Sequence, residues 1–292
     1  MRRSARAPVR DEFLLLAPRL SEVGCHSIDL MSGIRRVSKE ASVGTVPSAL
    51  ESSFSAKPQR EWFYPSMAVF AMLFCIAAFG PSVAYTAARP GPLSGMLAVH
   101  GIIYFTWLLI FCAQAILVKA GKLALHRRLG TLSAIVAAVM VVQGYQTTIA
   151  MARRGFDVSG DLAIQSDPLA ATAFPLLDIA MFAGLVVAAY LYRRRPAIHK
   201  RLMLLAIFGG LMPAPIAHLT GHFGFFRDKP ILTPVIVGAF LAVSAIHDRI
   251  ATRRIHPVSL WVALVLFALD NFCAAVVLPS AAWHLFASRL VR

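Results

Sequence analysis

Beyond residue 60 the chain is divided into seven apolar runs, each long enough to cross a bilayer. They fall near 63–82, 96–118, 131–152, 170–192, 202–221, 231–250 and 259–284. About 20 helical residues at 1.5 Å per residue span a hydrocarbon core. Lipid offers the backbone no water, so such runs must satisfy their own hydrogen bonds as helices. The fold class is therefore all-α, a polytopic transmembrane helical bundle of seven spans. Glycine and proline mark the gaps, as at Gly80-Pro81, Pro90-Gly91-Pro92, Gly155, Pro196, Pro230 and Pro257.

Composition agrees. Hydrophobic residues make up 58% and charged residues 15%, too little polar surface for a soluble chain of 292 residues. The net charge of +15 comes from cations gathered at the ends of the runs. That placement points to anionic lipid headgroups as the partner and excludes nucleic acid. Residues 1–60 are polar and basic and read as a disordered cytoplasmic tail, or as an over-extended start with Met31 as the initiator. Cys25, Cys75, Cys112 and Cys273 are isolated and read as inert thiols.

Lys and Arg alternate between the two faces. The tail and the loops after runs two, four and six hold 22, and the other side holds 7. The positive-inside rule then puts the N-terminus in the cytoplasm and the C-terminus outside. Trp62, Phe63, Tyr64 and Trp261 fall at inner ends, and Trp283 at the last outer end.

The chain also repeats itself. Ala124-Leu125-His126-Arg127-Arg128-Leu129 returns as Ala197-Ile198-His199-Lys200-Arg201-Leu202. Runs two and three form one hairpin, runs four and five another, in parallel orientation about an axis along the membrane normal. His126 and His199 then face each other at equal depth, an arrangement that suits axial ligation of haem b or a metal ion. The same string also suits a helix entering an anionic leaflet, with Lys and Arg snorkelling to phosphates. A third string, Ala245-Ile246-His247-Asp248-Arg249-Ile250, ends run six and reads as coincidence.

The outer half carries its own polar groups. His100 lies shallowly in run two, Asp178 deeper in run four, and His218 and His222 share a face of run five at i, i+4. Gln143, Tyr145, Gln146, Thr147 and Thr148 line the outer half of run three. Ionisable groups at this depth mark function or structural hydrogen bonds. His100 with His218 makes a second bis-imidazole candidate, and Asp178 and His222 are candidate metal ligands. Pro213-Ala214-Pro215 breaks run five beside His218. Asp270, mid-way along run seven, reads as a proton relay or a helix–helix hydrogen bond. No Walker A loop, GxGxxG, HExxH, GxSxG or CxxCH occurs, so no enzyme class is assigned.

His100-Gly101, Trp107, Gln114, His126-Arg127-Arg128-Leu129-Gly130, Arg195-Pro196, His199-Lys200-Arg201-Leu202-Met203, Asp248 and His256-Pro257 together resemble a family of uncharacterised bacterial integral membrane proteins. That resemblance implies a fold and no activity. A fainter one, to cytochrome b561-type proteins, implies two haems held by paired histidines. Three functions follow as expectations: membrane electron transfer through haem or metal, small-molecule transport or sensing, and a non-catalytic assembly partner.

Overall fold

The computed structural model describes residues 62–84, 94–154, 167–222 and 231–292. The expectations for the tail at 1–60 and for the His222 side chain lie outside the described residues.

The described chain is helical. Its elements are α1 (Phe63–Ala84), α2 (Gly95–Lys119), α3 (Leu123–Arg153), α4 (Pro168–Leu191, interrupted at Thr172), α5 (Pro196–Gly210), α6 (Pro213–His222), α7 (Leu232–Thr252), α8 (Val258–Val277) and α9 (Ala281–Val291). Seven spans are long and apolar enough to cross a membrane, α5 and α6 together forming one of them. The chain is a multi-pass membrane protein with an all-α fold.

Three boundaries differ from the sequence reading. The third and fifth spans begin at Leu123 and Pro196, well before 131 and 202. Cations at a helix end snorkel to water, so the helix runs on through them. His126 and His199 therefore each occupy the fourth position of a helix. The seventh span stops at Val277 and not at 284. Leu278-Pro279 cannot continue it, and the Ser280 hydroxyl caps α9 by accepting from Trp283 N at 3.1 Å. The stretch read as the end of a span is a separate terminal helix.

The hairpins α2–α3 and α4–α5 pack against each other along α3 and α4. On the far side α1 lies against both α2 and α5. The α2–α3 turn is tight, with Gly121 at φ 78°, a conformation glycine adopts without strain. The α5–α6 span is the hub and touches α1, α4, α7 and α8. Two thirds of its most apolar window is buried, against 39% or less in the other six. Leu204, Leu205, Ala206, Ile207 and Phe208 are at most 1% exposed. A helix apolar all round belongs at the centre of a bundle. The proline break falls at Leu211-Met212, and buried Met212 and Ile216 pack it closed.

At the end opposite the two histidine motifs, α9 docks on the start of α4 and the end of α3. Trp283 Nε1 donates to Leu169 O at 3.2 Å, and Arg153 Nε donates to Val291 O at 2.7 Å. His284 Nε2 meets Asp167 Oδ2 at 2.5 Å. Asp167 is held below its usual 3.8 by the Leu169 amide and then by His284, and Asp167 raises His284 above its usual 6.5. The raised histidine stabilises docking below pH 6.5, and that contribution is lost as pH rises through its folded value. The lowered carboxylate contributes above 3.8 and is lost as pH falls through its folded value. Docking is thus tightest between about pH 4 and 6.5. A nitroxide at Ser288→Cys should gain mobility above neutral pH, and Asp167→Asn should abolish that pH dependence. Equal mobility from pH 5 to 8 in the parent protein would contradict the contact.

Candidate functional site

Two polar groups stand inside the bundle, one near each membrane face. The first forms at the end carrying Lys119, Lys122, Arg127, Arg128 and Lys200. The rings of His126 and His199 come together there, their centroids 6.4 Å apart and their planes at 82°. His199 Nδ1 lies 2.8 Å from Ala189 O. A carbonyl only accepts, so Nδ1 carries the proton and Nε2 is left with its lone pair. The Gln114 main chain hydrogen-bonds the His126 ring, while His126 Nδ1 is buried without a hydrogen-bond partner. Aromatic rings take up neighbouring ammonium groups. Lys119 Nζ lies 4.6 Å over the Trp62 ring, and Lys200 Nζ lies 4.6 Å over Tyr64.

The same end holds a network that the sequence reading missed. Arg201, expected to snorkel outward, turns inward and is only 7% exposed. Its Nε donates to Asp248 Oδ2 at 3.0 Å, and its Nη2 donates to Asp248 Oδ1. The Ser259 hydroxyl donates to Asp248 Oδ2 at 2.6 Å, and His256 N donates to the same oxygen at 3.2 Å. Ser244 and Ser259 join their hydroxyls at 3.0 Å. The network ties α5, α7 and the start of α8 together. Asp248 belongs to the string read as coincidence. The available signal was a lone acid two residues from a run's end, in a chain with few acids.

The second group lies toward the opposite end. His100 Nδ1 donates to Gln143 Oε1 at 2.8 Å, and Gln143 Nε2 donates to Thr147 Oγ1 at 2.7 Å. Thr147 lines a pocket of about 110 Å³ shared with Ser94, Met96 and Arg154. The His100 ring stacks on Tyr104, centroids 4.0 Å apart, and Tyr104 donates to Met140 O at 3.1 Å. Tyr104 and Asp178 interact electrostatically across α2 and α4, as do Asp178 and Asp270 across α4 and α8. Asp178 is 8% exposed. One oxygen of each carboxyl, Asp178 Oδ1 and Asp270 Oδ2, is buried without a hydrogen-bond partner. Both aspartates lie roughly 15–18 Å from the start of their spans, near the mid-plane of a ~30 Å core.

The structure joins His126 to His199 and brings His100 to Gln143 and Tyr104. His218 is buried, with its ring 4.7 Å from that of Phe79 in α1. Among the described residues no three of His, Cys, Asp or Glu gather to hold a metal ion. A haem between His126 and His199 needs a flat apolar slot across the bundle. The best-formed cavities among the described residues lie elsewhere. One is the pocket beside Thr147, and the other is an open apolar groove of about 460 Å³ between α4 and α8, from Leu177 to Leu269. Neither opens between the two imidazoles.

Comparison with protein-family models, with curated proteins and with solved structures returns no match.

Proposed function

We propose that this chain is a bacterial inner-membrane protein that conducts protons, or couples proton movement to a small solute, through the polar core around Asp178 and Asp270. The observation that supports this reading is two carboxyls near mid-bilayer depth, carried on the packed helices α4 and α8, each with a buried oxygen that makes no hydrogen bond. A central carboxylate costs about 2.5–3.5 kcal/mol on the insertion scale, and an unmade buried hydrogen bond adds about 1–3 kcal/mol. Two such groups at this depth serve packing poorly, and exchanging a proton or a cation is what they serve well. Thr147, Gln143, His100 and Tyr104 supply a polar line from the Arg154 pocket toward Asp178. Two π-helical turns, Val258–Val262 and Cys273–Val277, flank Asp270, and such turns loosen a helix locally.

The count of 22 basic residues against 7 orients this core with its pocket outside and the His126–His199 end in the cytoplasm, against anionic headgroups. Electron transfer through haem b draws support from the imidazole pair alone.

Proteoliposomes loaded with a pH-sensitive dye test the reading. The wild-type protein should dissipate an imposed pH gradient, and Asp178→Asn should slow this by roughly tenfold or more. Vesicles that hold the gradient as long as protein-free ones, or a variant that conducts like wild type, would reject it.

A further inference from the structure

We propose that His126 and His199 form a two-coordinate binding site for copper(I), held between the starts of α3 and α5. Three observations select this ion, and none depends on the proton-conducting reading.

The first is geometry. An ion about 2.0–2.1 Å from one nitrogen of each ring sets straight-bound imidazole centres roughly 6.4 Å apart. The observed separation is 6.4 Å. The two ring planes stand at 82°.

The second is orientation. Metal-binding histidines donate their other ring N–H to a carbonyl or carboxylate, which sets the tautomer and aims the lone pair. His199 does this through Nδ1 to Ala189 O, leaving Nε2 as the donor atom. His126 is held by the Gln114 main chain, leaving a buried Nδ1 with no hydrogen-bond partner. The two anchoring carbonyls come from α4 and α2, each the helix paired with its histidine's own in a hairpin. Each histidine is thus anchored from within its own hairpin, His199 through Nδ1 and His126 with Nδ1 left as the donor atom.

The third is charge and ligand number. No further His, Cys, Asp or Glu among the described residues joins the pair to make a set of three. Zinc asks for four ligands. Arg127 and Lys200 follow the two histidines directly, and the positive helix N-termini lie beneath them. Two neutral nitrogens in a cationic setting disfavour a dication without carboxylates. A monocation content with two donors meets every condition, and imidazole is a good ligand for copper. Binding forms two N–Cu bonds from existing lone pairs and displaces no proton from neutral rings.

The experiment is anaerobic titration of the detergent-purified full chain with Cu(I) against a chromogenic Cu(I) chelator, alongside zinc(II). One tightly held Cu(I) per chain is expected, weakened at least ~10-fold by either His126→Ala or His199→Ala and unchanged in His284→Ala. His126→Gln provides a second variant should the alanine protein fail to fold. X-ray absorption of the loaded wild type should show two nitrogen neighbours. Sulfur neighbours would assign the copper to Cys75, Cys112 or Cys273 and overturn the proposal. So would stronger zinc than copper binding, equal retention by the histidine variants, or no retention at all.

Discussion

Replacing Asp248 with alanine should destabilise the bundle by about 3–5 kcal/mol. Arg201 is buried against the α5–α7–α8 junction, and the carboxylate of Asp248 is only 1% exposed on its side chain. Removing the acid leaves a desolvated guanidinium against neutral acceptors such as Ala197 O at 2.6 Å and the Ser259 hydroxyl at 3.1 Å. Ser259 and the His256 amide lose their shared acceptor in the same step. Breaking a buried pair is costly because the surviving charge is unpaired, whereas replacing both partners with apolar groups of similar size can be neutral. Arg201→Met combined with Asp248→Leu should therefore recover most of the loss. Thermal unfolding in detergent reads both variants. A single Asp248→Ala variant that melts with the parent would show that the pair is hydrated in the membrane interface.

Gly210→Ala is expected to cost up to about 3 kcal/mol, the upper end of the range for overpacking. A β-carbon at Gly210 would lie 2.7 Å from the Phe182 Cα and 2.8 Å from its amide nitrogen. Those are backbone atoms of α4 and have no rotamer through which to yield. The two helices must separate, which also moves Ala189 away from His199. Close approach through small residues is the main source of helix association in lipid. Gly184→Ala is the matched control. Nothing lies within 4 Å of its added carbon, so better helix propensity should leave stability unchanged or slightly raised. If both variants melt alike, the α4–α5 crossing is looser than described.

The two substitutions show where sequence reading reaches its limit. Arg201 is the second cation after His199, and Arg128 is the second after His126, so the repeat makes them look equivalent. Their surroundings differ, because Asp248 and Ser259 arrive at Arg201 from α7 and α8, outside the duplicated hairpins. The imidazole pair was legible because the repeat alone puts both histidines at one depth. That Asp178 and Asp270 lie on packed helices was not legible, because α4 and α8 meet only in the fold and the two residues stand 92 positions apart.

The sequence by itself determined what hydropathy and charge can encode along one dimension: seven helices, their alternating direction, and a twin histidine motif at a single face. Those follow because hydrocarbon accepts only segments that close their own hydrogen bonds and exclude charge. Only the tertiary structure decided which span occupies the centre, which arginine turns inward and which helices pack against one another. Lipid is as apolar as a bundle interior, so hydrophobicity cannot rank one helix face over another there, and contact between neighbours makes the choice.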